Sequence, residues 1–439
     1  MPENSIALPD FPTHTEFEEY VAAYVQAAGL FVERSLIDRQ EEELLELDII
    51  ATDYVQTAPP RERLIEVKSG DWGFADIFKI SGWGKYLGVD QLALVISRSK
   101  TSQTFIKAKS SEIGVSLLLH PNDPTNADAS ELVEGLAVDP CDVSVWRFSH
   151  WTERKLLRRL KVLKKSCPDV KAYQVLDDYY HQVTSAVFFS KNIVQRARAL
   201  YSVYQLYPNL TARVGCEKAG GSFDDDPTEI PKDFFAAAYY RGELNDLAIS
   251  TFVEQRSRLA LLKAAIDLCQ YEDFGVKDKV TSEIEILGLK FSLKGTLPSN
   301  FLVGVNAIRK EPYFHRYAVF WQVFLWLFGG FILEDYKSAD FTLLSLKTGI
   351  PVEHVPSALA AYDKLFPTPG GWFRQADANS RITFLKLVPP PMMGVGAHYR
   401  RLQYAYSQNL DDLTALTGRY TKADLAKRIN CLFALLAAK

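Results

Sequence analysis

The sequence predicts an α/β domain at the N-terminus, built in the order αβββαβ around a mixed central sheet and followed by a mainly α-helical C-terminal region. Three observations predict it. One amphipathic stretch and three short runs rich in β-branched and aliphatic residues follow one another within the first 70 residues. Helix-like and strand-like stretches then alternate up to residue 120, and from His150 onward a helical period dominates.

The first helix is expected over Thr15 to Ala28, with Phe17, Tyr20, Val21, Tyr24 and Ala28 on one face and Gly29 as its stop. At about 100° per residue Glu18 borders that apolar face, within reach of a site at the edge of the core, whereas Glu19 points nearly opposite. Strands are expected at Leu30 to Ile37, Leu44 to Tyr54 and Arg63 to Lys68, the last two separated by a Pro59-Pro60 turn. A helix from about Ala75 to Leu87, a buried strand from Gln91 to Ser97, a helix over 102–113 and a strand from Gly114 to His120 complete the domain. Pro121 to Asn126 reads as a loop and Val143 to Phe148 as one further strand. These elements divide the chain into a domain over 1–122, a connector with an added strand over 123–150, and a helical region over 151–439.

The chemistry-bearing residues lie on two of these strands. Asp48 is followed eighteen residues later by Glu66-Val67-Lys68. Side chains alternate along a strand, so Glu66 and Lys68 project together while Ile65 and Val67 face the other way into a core. Charges at the rim of a core are tolerated when they pair with one another or hold a metal. Asp48, Glu66 and the Val67 carbonyl are a hard-oxygen set suited to Mg²⁺, which keeps several waters. Lys68 beside it is placed to orient an attacking water and offset charge on a phosphorane.

This spacing resembles the PD-(D/E)xK nuclease superfamily, whose pattern is Asp, a variable gap, then Asp/Glu-x-Lys on the next strand. Leu47 stands where the proline of that motif would be. The resemblance spans roughly residues 14 to 120 and implies a restriction-endonuclease-like fold, with Glu18 in the acidic position of helix one. It further implies a metal-dependent deoxyribonuclease in which Asp48 and Glu66 ligate Mg²⁺ or Mn²⁺, Lys68 positions the water, and Glu18 binds a second ion or orients a water. Cleavage would leave a 5′-phosphate and a 3′-hydroxyl. Restriction, defence against foreign DNA, repair and recombination are the implied settings, and a homodimer is among the implied forms. The alternative is a non-catalytic nucleic-acid-binding regulator that uses the fold as a scaffold and the helical region for recognition.

Composition frames the remainder. The chain has 439 residues, 47% hydrophobic and 12% aromatic, enough for two or three domains with substantial cores. The net charge of −4 means that DNA contact must come from local basic patches. Five scattered cysteines form no CxxC pair and seven histidines no HExxH, which argues against structural zinc and a disulfide framework. No signal peptide is legible, and a reducing cytoplasm is the expected location. No Walker A loop occurs.

The basic candidates are two. Lys79 and Lys85 lie on the helix after the Glu66 strand, where they can meet the scissile phosphate. That helix also carries Trp83, with Trp72 just before it; both are expected to pack helix onto sheet, and stacking on DNA is the other reading. Further on, Arg154 to Lys165 holds seven basic residues (Arg154, Lys155, Arg158, Arg159, Lys161, Lys164 and Lys165) and no acid, with Leu156, Leu157, Leu160 and Leu163 as an apolar stripe. Such a helix can track phosphates or be a solvated face. Gly220 to Pro227 reads as a hydrophilic linker between two helical lobes, splitting them near 217–232. Ala318 to Leu333 is nearly all apolar but shorter than a bilayer span of about 20 residues, so a core helix is expected and no membrane partner. Leu344 to Ala358, with Gly349 at a turn, fits helix-turn-helix spacing, against which Pro356 reads as a break inside the second helix.

Overall fold

The computed structural model describes residues 12–39, 43–54, 60–97, 103–119, 131–133, 135–185, 193–227, 244–273, 297–328, 330–333, 337–366, 373–375 and 382–385. The loop expected at Pro121 to Asn126 and Pro59 of the expected turn lie outside these residues.

Eight elements come first, in the expected order: α1 (Thr15–Ala27), β1 (Phe31–Arg39), β2 (Glu43–Asp53), β3 (Arg61–Lys68), α2 (Phe74–Leu87), β4 (Gln91–Ile96), α3 (Gln103–Glu112) and β5 (Val115–Leu119). The strands form one sheet in the order β1-β2-β3-β4-β5. The first three pair antiparallel, and β3, β4 and β5 pair parallel across the crossover helices α2 and α3, so the sheet is mixed. Alternation along each strand separates two cores. Leu64, Leu94, Ile96 and Leu117 pack against Trp72, Ile77 and Ile80 on the α2–α3 side. Ile49, Ile65, Val67 and Val95 pack against Phe17, Val21 and Val25 of α1 on the other.

Two backbone features shape the sheet near the candidate residues. From Phe31 to Asp38 strand β1 keeps one register with β2, Arg34 opposite Ile49 and Leu36 opposite Leu47, yet the intervening pair of Ser35 and Asp48 is not formed, and Ser35 has φ 53°. That is the left-handed region, costly for a residue with a Cβ. On the far side of this kink Leu47 packs toward α2, whereas Ile49 packs toward α1. The second feature is Gly84, where α2 lies so close to the sheet that a Cβ would come 2.4 Å from Leu92 Cδ2 and 2.9 Å from the Val89 carbonyl.

The helical region follows with α4 (Pro140–Ser166), α5 (Lys171–Val183), α6 (Ile193–Leu206), α7 (Leu210–Lys218), α8 (Leu244–Asp273), α9 (Ser299–Ile308), α10 (Tyr317–Trp326), α11 (Lys337–Thr348) and α12 (Val355–Leu365). Strands β6 (Phe331–Leu333), β7 (Phe373–Gln375) and β8 (Ile382–Leu385) make a small antiparallel sheet in the order β6-β8-β7. Helix α8 is the axis of the region, and its side chains from Ala248 to Gln270 are buried almost without interruption. Of the apolar stretch Ala318 to Leu333 expected as a core helix, only the part up to Trp326 is helical, as α10, which is buried along its whole length, and Phe331–Leu333 is strand β6 instead; among the described residues no helix is long and apolar enough to cross a membrane.

The structure corrects several expectations. Val143 to Phe148 is not a strand but part of α4, a helix that begins at Pro140 and runs through residue 150. Helix α1 is not half-exposed: α4 lies along its outer side, so Glu19 is buried and forms ion pairs with Arg154 (2.8 Å) and Arg34 (3.9 Å). Pro356 does not break a helix, because α12 starts at Val355 and the proline occupies its first turn, where no intrahelical N–H is required. The segment after α7 is pinned rather than bare: Arg213 donates to the carbonyls of Asp224 and Asp225, Lys171 pairs with Asp224, and Phe223 is buried.

Candidate functional site

Asp48, Glu66 and Lys68 meet at the kinked end of the β2–β3 ladder. The last formed pair is Ile49 with Ile65, and one more step of that register sets Asp48 level with Glu66. There the ladder is continued by a side chain: the Val67 N–H donates to Asp48 Oδ2 at 2.8 Å. Glu66 and Lys68, two apart on β3, project together as alternation requires, with Lys68 Nζ 2.7 Å from Glu66 Oε1. Lys79 reaches the same oxygen from the second turn of α2, at 3.3 Å. Glu66 is 1% exposed, and its other oxygen, Oε2, is buried with no hydrogen-bond partner.

The electrostatics follow from crowding. Burial raises the pKa of Asp48 well above the carboxylate range, and the charges of Glu66 and Glu18 push it further, against the pull of the Val67 N–H and Lys68. Burial likewise raises that of Glu18, with Arg34 opposing and Glu46 and Glu66 adding to the rise. For Lys68 burial disfavours the ammonium, but the hydrogen bond and charge of Glu66, together with Asp48 and Asp76, outweigh it and raise the pKa.

The end of β3 is held on several sides. The Lys68 carbonyl accepts the Ser97 N–H at 3.0 Å, and the Ser69 carbonyl accepts the Ser97 hydroxyl at 2.8 Å. Beyond it, Asp76 Oδ2 accepts the Gly73 N–H at 2.7 Å and starts α2. Asp76, Ser97 and Ser35 were not singled out in the sequence. An Asp three residues after a glycine was the available signal for the first; nothing local marks the other two.

The other expected site residues divide. Glu18 shares the field of Asp48 and Glu66, yet no group of three or more His, Cys, Asp or Glu side chains among the described residues converges closely enough to hold a metal ion, so Glu18 does not complete a three-carboxylate cage. Lys85 is exposed in the last turn of α2. Trp72 is buried against the sheet, and Trp83 is half-buried under the Lys79 ammonium, 4.0 Å from the ring centroid. On α4, Arg154 is turned inward to Glu16 and Glu19, and Lys164 pairs with Asp177 at 2.8 Å, whereas Lys155, Arg158, Arg159, Lys161 and Lys165 are exposed. Lys347 is drawn onto Asp139 and Asp142, and Val355 and Ala358 are buried, so these parts of the helix-turn-helix candidate face the protein interior.

Comparison with protein-family models, with curated proteins and with solved structures finds no match to this chain.

Proposed function

We propose that the protein is a metal-dependent nuclease that hydrolyses DNA phosphodiester bonds, its N-terminal sheet and flanking helices being built on the PD-(D/E)xK, restriction-endonuclease-like plan. One observation carries the reading. Asp48, Glu66 and Lys68, the three residues of the motif, come together where the β2–β3 ladder gives way, with a buried carboxylate oxygen of Glu66 left without a partner. Burying such an oxygen is costly unless something cationic or hydrogen-bonding meets it.

A divalent cation fits that donor set. Asp48 and Glu66 would hold Mg²⁺ or Mn²⁺, with the Val67 carbonyl and water filling the shell as this hard ion prefers. When bound, such an ion supplies Lewis-acid polarisation of the phosphate and a water acidic enough to attack near neutral pH. Glu66 also fixes the Lys68 ammonium through their 2.7 Å contact. Because its pKa is raised, Lys68 stays protonated at neutral pH and acts as a donor that orients the nucleophilic water and meets charge building on the phosphate. Lys79, tied to the same carboxylate, would donate to a phosphate oxygen of the substrate. Glu18 adds its charge to that of Glu66 in the field around Asp48 and would orient a water.

The test is incubation of the purified full chain with linear, circular, single-stranded and branched DNA, and with RNA, in Mg²⁺, Mn²⁺ or EDTA. Cleavage of DNA that needs the metal and disappears in Glu66→Ala supports the reading. Binding without cleavage under every metal condition would favour the scaffold regulator instead.

A further inference from the structure

Eight large hydrophobic side chains are exposed among the described residues, and the three aromatic ones, Phe78, Tyr86 and Phe105, all sit on α2 and α3, which cover the same face of the sheet. On α2 the exposed residues are Ala75, Phe78, Lys79, Gly82, Lys85 and Tyr86. At 3.6 residues per turn these fall within an arc of about 120°. Phe78 is 58% exposed and Tyr86 61%. Gly82 lies between them on the same arc and leaves a gap between the rings.

This arc is aromatic and cationic, with no carboxylate on it. The single acid of α2, Asp76, is turned back to the Gly73 N–H. The rings are also held in place. The Tyr86 hydroxyl donates to Asp38 Oδ2 at 3.3 Å while the ring stays in solvent, and Phe78 rests edge-on against Phe74 with centroids 5.3 Å apart. A fixed exposed ring loses little freedom on stacking, unlike a mobile one. Lys79, the neighbour of Phe78, is bonded to Glu66, so the arc starts beside the candidate catalytic residues and runs away from them toward Tyr86.

We propose that the outer face of α2 is a stacking platform for unpaired nucleotides, on which a single-stranded DNA segment lays bases against Phe78 and Tyr86 and phosphates against Lys79 and Lys85. The inference rests on the nuclease reading and names the form of its substrate: DNA that is single-stranded, or frayed, beside the bond to be cut. In a paired duplex the faces of the bases are covered by their neighbours, so rings standing on a helix can meet only unstacked bases. The ammonium groups beside the rings match the phosphates of that strand, as in other single-strand grooves that combine cations with aromatics.

The test uses the full chain in EDTA, so that binding is read without cleavage. Labelled single-stranded and fully paired oligonucleotides are titrated by fluorescence anisotropy, and a single strand carrying 2-aminopurine reports stacking by quenching. Phe78→Ala and Tyr86→Ala should each weaken single-strand binding by about 10-fold or more, the range of one lost base-stacking contact, and diminish the quenching. Duplex binding should move by less than about 2-fold in both variants, and Tyr86→Phe, which keeps the ring, should bind single strands within about 2-fold of the parent. A parent that quenches normally but cuts nothing would sink the nuclease reading and leave the platform standing. The platform is overturned if neither alanine variant weakens single-strand binding or quenching, or if duplex binding falls equally. A change of oligomeric state in the variants would overturn it too, identifying the face as a protein interface.

Discussion

Gln322 pairs with Val32 as a neighbouring strand would: its Nε2 donates to the Val32 carbonyl at 2.8 Å, and its Oε1 accepts the Val32 N–H at 3.2 Å. Strand β1 is an edge of the sheet, and its backbone groups are met by the helical region at two further points. Arg256 donates to the Arg34 carbonyl, and the Ile37 N–H donates to the Thr184 carbonyl. Gln322→Ala should therefore leave both Val32 groups buried and unmatched. A destabilisation of about 1–3 kcal/mol is expected in urea unfolding followed by circular dichroism. A loss of less than a few tenths would mean that water replaces the amide.

Glu66→Ala and Lys68→Ala should each abolish metal-dependent cleavage while DNA binding and thermal stability change little, because both side chains lie at the site rather than in the apolar packing. Retained activity in either variant would sink the site assignment. Glu18→Ala should reduce activity, and Glu19→Ala should instead lower stability, since Glu19 sits among Arg34 and Arg154.

Mg²⁺ should raise the melting temperature of the parent in differential scanning calorimetry, as any ligand of the native state does. The increase should vanish in Asp48→Asn with Glu66→Gln combined. An equal increase in the double variant would place metal binding elsewhere.

Acid should weaken the seam between sheet and helices in a defined window. Burial, and then the charge of Arg34, hold His150 down at about 4 against an ordinary 6.5, so its contribution is full above pH 6.5 and is lost as pH falls through 4. For Glu153 burial alone would act upward, but Arg34 and Arg256 bring it to about 2, so its contribution is full above pH 4.5 and is lost as pH falls through 2. Each unit is about 1.4 kcal/mol, so His150 alone carries about 3 kcal/mol of pH dependence. Unfolding measured from pH 7 to pH 3 should show this loss, and His150→Asn should flatten its upper part.

A second cluster of buried charge can be tested by substitution. Lys263 and Arg196 hold Glu62 at about 2 against its partial burial, and Arg196 and Lys263 also meet Asp267, which accepts the Tyr54 hydroxyl. Glu62→Ala should cost about 3–5 kcal/mol, because it leaves Arg196 and Lys263 one carboxylate short in a desolvated cluster rather than removing a surface pair. A loss under about 1 kcal/mol, the range of surface pairs, would mean that water reaches the cluster.

Charge reversal at Arg158, Arg159 and Lys161 should weaken DNA binding alike at all sequences and flatten its salt dependence, since these exposed cations would release fewer counterions. Unchanged affinity and slope in a folded variant would make α4 a solvated face.

The N-terminal elements were legible because each strand carries its own alternating or apolar run, and because Glu66 and Lys68 are two apart on one of them. Their pairing follows from strand geometry alone. The kink at Ser35 was not legible, since a left-handed φ at a residue other than glycine is imposed by surrounding structure. Val143 to Phe148 misled because Val-Ser-Val-Trp alternates with period two, whereas burial between α1 and the helical region decides for a helix. Glu19 misled for a related reason. A charged residue opposite an apolar face is taken to face water, and its partner Arg154 lies 135 residues away.

Gly84 ties the position of α2 to a contact far from the chemistry. With no Cβ there, the helix can seat against Leu92 and the Val89 carbonyl, and that depth sets how far the Lys79 ammonium must extend to touch Glu66. An added methyl would act as a wedge under one end of a rocker. Leu92 can shift its methyl groups, but the Val89 carbonyl belongs to the backbone, so α2 must lift and Lys79 would be drawn off the carboxylate. The glycine thus works as a spacer of zero thickness that calibrates a lysine five residues before it.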